Sequence, residues 1–306
     1  MSIGIICDSA SDIPQSYAKN LDLVEVPINI NFGDKVLKEN IDINGDDYYK
    51  KLISSDIFPT TSQPSPGDFE KIYSAQLKKH SELLSIHISS KVSGTYSSAI
   101  QAAEKVGKGK ITVIDSKSVS MGTGLVIISV ANYLKANKSA NMTDLVKLTN
   151  ELSKKSKILV ACETVEYMKR GGRISAGAAF FGGLLNVKPV IGNNDEGEVV
   201  SISRPRSMVK ALSFLRMEAE RHTNHQGMAV MQTTESFDSR ALYNSLAGNE
   251  TIKPDKKDKK DKKSKSAASV ENMYVGEVIK AQFGPSVGTH AGPGAVGIAF
   301  IGELPK

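Results

Sequence analysis

Short apolar runs alternate with helix-length segments through the first half of the chain, and that alternation limits the folds it can adopt. Ile3 to Cys7, Leu23 to Ile30, Leu83 to Ile88 and KITVID at 110–115 read as strands. Between them Ser65-Pro66-Gly67-Asp68 is a helix entry, with a serine N-cap, proline at the first helical position and an acid in the first turn, leading into FEKIYSAQLKKH. SSAIQAAEKV at 97–106, an apolar helix from about Val119 to Ala136 and an amphipathic one from Met142 to Lys154 follow. Strand and helix in turn imply a parallel sheet with helices on both faces.

After the strand KILVACE (157–163) the texture changes to shorter strands, glycine pairs and a hairpin around Asn193 to Gly197. A domain boundary is therefore expected near residue 160, giving an N-terminal α/β/α parallel-sheet domain at 1–160. A smaller α/β domain with a mixed sheet follows at 161–306. Helices at Met208 to His222 and Phe237 to Leu246 flank the strand GMAVMQT. Two closing strands, VGEVIKAQF and AVGIAFIGE, are joined by the glycine-rich GPSVGTHAGPG.

The net charge of +6 invites a nucleic-acid reading, but residues 253–265 (KPDKKDKKDKKSK) hold eight Lys and three Asp, which leaves +1 for the rest. That segment has no aromatic residue to stack on bases and no apolar residue to build a core. A disordered insertion at about 251–268 is expected, and a nucleic-acid partner is not. No run approaches the roughly 20 apolar residues of a membrane span, and the opening MSIGIICDSASD goes straight into a strand, so a cytoplasmic chain is expected. Cys7 and Cys162 each sit in an apolar run and imply neither a disulfide framework nor a metal centre.

Several motifs lead nowhere. Gly292-Pro293-Gly294-Ala295-Val296-Gly297 fits G-x-G-x-x-G, yet a β-like run follows it and no crossover helix can fit in the remaining residues. Asp8 ends a first strand as a phosphatase nucleophile would, but Ala10 stands where a second acid is needed, so the Asp/Ser cluster reads as capping. No G-x-S-x-G elbow, H-E-x-x-H helix or P-loop is present.

Three hydroxyl-bearing loops remain: Pro59 to Pro64, Ser89 to Thr95, and Gly288 to Gly292. The first two precede helices, whose N-termini favour anions, and the glycines allow close backbone approach. Thr61 and Ser93 are thus candidate ligand contacts, with ordinary turn and capping roles as the alternative. His290, set among small residues, has little side-chain bulk nearby to bury it. Arg170 and Arg173 flank a Gly-Gly turn and Arg204 and Arg206 flank Pro205. They read either as exposed or salt-bridged residues or as a basic rim, since Arg makes bidentate contacts with phosphate.

The motifs DSASD, PTTSQPSP, SSKVSGTYSSA, ETVEYMKRGGRIS and FGPSVGTHAGPGAVG, in this order and spacing, resemble the DegV family over nearly the whole chain. The Lys-rich insertion is the main departure. The resemblance implies a DegV-like two-domain fold with a long-chain fatty acid in a tunnel between the domains. It also implies that a separate dihydroxyacetone-kinase-like fatty acid kinase converts the acid to an acyl phosphate for phospholipid synthesis. On that view the chain is no enzyme and needs no cofactor or metal. Thr61, Ser93 and His290 match the carboxylate-binding positions, with Ser62, Gly94 and Thr95 as secondary head-group contacts. The four arginines become a kinase-facing rim, and a transient membrane contact stays open. The tunnel wall is expected from Ala178 to Leu185 and from the Val119 to Ala136 helix, plain core being the alternative for each residue. The rival reading is a lipid esterase or thioesterase with Ser93 as nucleophile and His290 as base, for which no orienting third group is recognisable.

Overall fold

The computed structural model describes residues 2–173, 187–234, 237–247 and 277–305. The Lys-rich insertion and the Ala178 to Leu185 stretch lie outside the described residues. The first sheet is wholly parallel, in the order β2-β1-β6-β7, built from β1 (Ile3–Asp8), β2 (Val24–Val26), β6 (Glu82–His87) and β7 (Ile111–Asp115). Beside it stands a small antiparallel sheet of β3 (Asn29–Phe32), β4 (Lys35–Lys38) and β5 (Thr60–Ser62), in the order β4-β3-β5. The run expected as one strand at 23–30 is therefore two, split around Pro27 and serving different sheets.

The helices of this half are α1 (Gln15–Asn20), α2 (Gly45–Ser54), α3 (Pro66–Gln76), α4 (Thr95–Val106), α5 (Met121–Ala136) and α6 (Met142–Lys155). α3 starts where the sequence places it: Ser65 accepts from the Asp68 N–H, and the Asp68 carboxylate returns a bond to Ser65. In β1, Ile6 packs with Phe69 and Tyr73 under α3 and α4, while Ile5 and Cys7 face α5 on the other side. Both faces are buried, which is why the strand is apolar at consecutive positions.

The second sheet has the order β10-β9-β8-β13-β11-β12, from β8 (Ser156–Ala161), β9 (Val190–Asn193), β10 (Val199–Ser203), β11 (Thr223–Gln232), β12 (Val278–Gln282) and β13 (Val296–Glu303). Its pairs are antiparallel except β11 with β12. β9 and β10 form the hairpin expected around Asn193 to Gly197, with Gly197 at a φ of +88°. The strand expected to close the first domain is β8, and it lies inside this sheet between β9 and β13. The change of sheet thus precedes Ser156. The remaining helices are α7 (Glu166–Gly171), α8 (Met208–Arg221), α9 (Phe237–Leu246) and α10 (Pro285–Ala291). None of the described helices is long and apolar enough to cross a membrane.

One core joins the two sheets. Leu125, Val126, Ile127 and Val130 of α5 pack in a single cluster with Ile5, Leu84 and Ile86 of the parallel sheet and with Ile158, Ala229 and Ile301 of the mixed one. A helix between two sheets has no polar face to spare, which explains the all-round apolar character of α5. Cys7 and Cys162 both fall in this cluster, and burial pushes the Cys162 thiol up to about 12, so both behave as small apolar side chains.

Because α5 is shared, Leu125→Ala is expected to cost about 2–5 kcal/mol and still leave one cooperative transition. Urea unfolding followed by far-ultraviolet circular dichroism and by tyrosine fluorescence checks it. Two separated transitions would mean that the sheets unfold independently.

Candidate functional site

The sequence motifs meet at a cavity between the two sheets. One end is polar, with Thr61, Ser62, Gln63, Ser93, Arg173 and His290. Apart from Asn193 and Ser286 the rest is apolar: Ile28, Ile88 and Val92 come from the first half, and Ile158, Ile191 and Val199 from the mixed sheet.

Three loops expected from the sequence supply the polar end, the Ser93 loop before a helix as expected and the other two in different conformations. Thr61 is the middle residue of β5, opposite Ile30. Ser93 stands just before α4, where its Oγ accepts from the Thr95 N–H at 3.2 Å and lies 2.8 Å from Thr95 Oγ1. Where the Thr95 hydroxyl is the donor of that contact, the Ser93 proton is left for a ligand. Gly94 is the N-cap of α4, and a side chain there would strike Gln63, so the glycine lets the two loops close on each other. Thr95 is fully buried and supports Ser93 rather than facing the cavity; neither Gly94 nor Thr95 lines it.

His290 sits in the last turn of α10, so the glycine-rich stretch expected as a loop is a short helix. Pro285 opens it, and Gly288 brings it against the ring of Tyr49, whose space any side chain would occupy. Tyr48 Oη lies 2.6 Å from Thr289 Oγ1, and Tyr49 Oη donates to the Phe283 carbonyl at 2.7 Å. These bonds hold a C-terminal helix onto the N-terminal half. His290 is also less exposed than its small sequence neighbours suggest, because the bulk comes from elsewhere: a Cβ on Gly171 at the end of α7 would overlap the imidazole ring.

His290 Nε2 lies 3.0 Å from Thr61 Oγ1, and Nδ1 is buried with no hydrogen-bond partner among the described residues. An unpaired acceptor is cheaper to bury than an unpaired N–H, which favours the proton on Nε2. His290 then donates to Thr61, and the Thr61 hydroxyl is left to donate into the cavity. Burial, followed by the nearby charge of Arg173, lowers the His290 pKa to about 4. A permanently charged imidazolium is therefore not what the site offers an anion. It offers neutral donors beside one guanidinium.

The four arginines are placed differently. Arg173 lines the cavity and donates to the Gly171 carbonyl at 2.8 Å. Arg170 is paired with Glu166 at 2.7 Å and stacks over Phe58. Arg204 and Arg206 are exposed and line no part of the cavity. The wall also differs from expectation. Of the 119–136 segment only Val119, just before α5, reaches the cavity, and the helix itself fills the core between the sheets. Among the described residues the wall comes from Ile28, Ile88 and Val92 and from β8, β9 and β10, whose apolar positions look in sequence like any strand.

Asp8 does not cap a helix. Its Oδ2 accepts from the Ile88 N–H at 3.1 Å and lies 2.9 Å from His87 Nδ1. His87 Nε2 is 2.7 Å from Ser85 Oγ, which accepts from Tyr73 at 2.9 Å. This buried Asp, His and Ser chain has the order of a hydrolase triad, but all three residues are fully buried and none lines the cavity. The G-x-G-x-x-G match runs directly into β13 and opens no helix. No group of His, Cys, Asp and Glu that could hold a metal occurs among the described residues.

The DegV family model matches residues 2–303. A DegV domain-containing protein of Caldanaerobacter subterraneus is 32% identical over 299 residues, covering 97% of this chain and 98% of the relative. The chain belongs to the DegV family. Protein DegV of Bacillus subtilis is 27% identical over 304 residues, covering 98% of this chain and 99% of its own. Among solved structures, a DegV family protein from Thermus thermophilus, described for its fatty acid binding, superposes with a TM-score of 0.83 at 28% identity, covering 99% of this chain and all of its own. Bacillus subtilis DegV, described as a fatty acid binding protein, gives 0.81 at 26% identity, with coverage of 99% and 100%.

In the ligand-free protein the His290 ring signals should titrate near 4 instead of near the ordinary 6.5, and a bound carboxylate should move that midpoint upward. A pH series of imidazole NMR spectra, with and without palmitate, reads both values. A ligand-free midpoint near 6.5 would show that the ring is open to water.

Proposed function

We propose that this chain binds a long-chain fatty acid, with the carboxylate at the Thr61, Ser93 and His290 end of the cavity and the acyl chain between the two sheets. The observation that carries this reading is one cavity with a polar end of neutral donors beside Arg173 and apolar walls from both halves of the chain. The fatty acid binding described for the relatives of 28% and 26% identity supports it. A desolvated carboxylate needs donors, and hydroxyls with an imidazole N–H provide them without several buried charges. Ser62, beside Thr61 in the same lining, adds a hydroxyl; Gly94 and Thr95 contribute by shaping the Ser93 loop.

Burying about 14 methylenes at ~0.8 kcal/mol each gives on the order of 11 kcal/mol relative to water, and a bilayer offers a similar gain. Extraction from a membrane during a transient contact therefore depends on the head-group donors. The bound acid is presented to a separate dihydroxyacetone-kinase-like fatty acid kinase, which supplies the phosphotransfer chemistry and yields the acyl phosphate. Arg173, placed at the polar end, is the residue suited to meet that kinase or the new phosphate. Hydrolysis is the weaker reading, because the Ser93 Oγ is engaged with Thr95 and His290 faces Thr61 with no acid on Nδ1 among the described residues.

Ser93→Ala and His290→Ala should each weaken palmitate binding roughly 10- to 100-fold, and the double variant should lose less than the two combined. The fatty alcohol of the same length should respond much less to either change. Isothermal titration of acid and alcohol against wild type and the three variants decides it. Equal losses for both ligands would place Ser93 and His290 in the packing of the cavity instead of at a carboxylate.

A further inference from the structure

α10 begins without a cap of its own. Its N-cap residue is Gly284, which has no side chain, and the next residue, Pro285, has no N–H. The first two available donors are the amides of Gly284 and Ser286. Asp12 Oδ1 accepts from the Gly284 N–H at 2.9 Å, and Glu39 Oε1 accepts from the Ser286 N–H at 2.9 Å. Both acids belong to the other end of the chain, Asp12 to the turn after β1 and Glu39 to the residue after β4. They converge so closely on Gly284 that a Cβ there would strike both carboxyls.

The second oxygen of each acid is also held. Ser120 donates to Asp12 Oδ2 at 2.5 Å, and Ser9 donates to Glu39 Oε2 at 2.5 Å while accepting from the Ile28 N–H at 2.8 Å. Glu39 is fully buried and Asp12 nearly so. No ion pair to either is present among the described residues, and burial raises the pKa of both. Two buried acids facing each other without a counter-charge are costly, so their retention calls for a task. Ser286 and His290 are four residues apart, about one helical turn, so whatever fixes the Ser286 amide also fixes the tilt of the helix that aims His290 at Thr61.

We infer that Asp12 and Glu39 cap α10 from the opposite half of the chain and act as positioning residues for His290. The inference rests on the fatty-acid reading only for its consequence, since the caps themselves can be read without ligand.

Glu39→Gln keeps an oxygen toward Ser286, whereas Glu39→Ala removes it and Glu39→Asp withdraws it by about one bond length. Glu39→Ala should speed hydrogen exchange at the Ser286 amide and weaken palmitate binding about tenfold. Glu39→Gln should stay within about threefold of wild type in both, and Glu39→Asp should fall between. In a His290→Ala background, Glu39→Ala should cost no further affinity, because the residue it positions is gone. Should the alanine variant fail to fold, the ordering of wild type, Gln and Asp in Ser286 exchange and in affinity decides the matter. Unchanged Ser286 exchange in the alanine or aspartate variant would overturn the capping. A Gln variant as damaged as Ala, or a full loss persisting without His290, would overturn the positioning role. Failure of wild type to bind palmitate would refute the fatty-acid reading alone, with amide exchange still judging the caps.

Discussion

The docking of α10 onto the N-terminal half is the contact on which the site depends. This short helix comes from the end of the chain, yet Tyr48, Tyr49, Asp12 and Glu39 all bind it from the beginning. Without that contact Thr61 and His290, 229 residues apart in sequence, would not meet at 3.0 Å. The two halves are joined a second time by α5, whose side chains serve both sheets. A ligand cavity between two such surfaces keeps its shape because close-packed walls on either side resist adjustment.

The chemistry follows from where the polar groups end up. The cavity walls are aliphatic, and the donors gather at one end. An amphiphile with one anionic head matches that division better than a uniformly polar or uniformly apolar ligand would. His290 is held neutral by burial and by Arg173, so on the proposed reading the carboxylate is held by hydrogen bonding, with Arg173 as the nearby cation. That arrangement avoids the larger cost of keeping an unpaired imidazolium buried whenever the site is empty.

Much of the framework was legible in the sequence because local rules governed it. The capping box at Ser65, the apolar runs of β1 and β6 and the hairpin around Asn193 to Gly197 all formed where their patterns placed them. The motif resemblance picked Thr61, Ser93 and His290, and the fold brings all three to one cavity. What escaped was set by distant packing. α10 contains Gly288 and is flanked by Gly284 and Gly292, a composition that argues against a helix, and it forms because Tyr49, Tyr167 and the two carboxyls close on those glycines. β8 looks like the last strand of a parallel sheet, and only its pairing with β9 and β13 assigns it to the other. The cavity wall from Ile158, Ile191 and Val199 carries no local signal, since an apolar strand position reads alike whether it faces a ligand or a core. Asp8 misled for the same reason: its partner His87 is 79 residues away.

Native mass spectrometry of the purified chain, before and after addition of palmitate, tests the central claim most directly. One fatty acid per chain, retained under gentle ionisation and released on unfolding, is the predicted result. A spectrum showing only the mass of the bare chain, even with palmitate in excess, would contradict it.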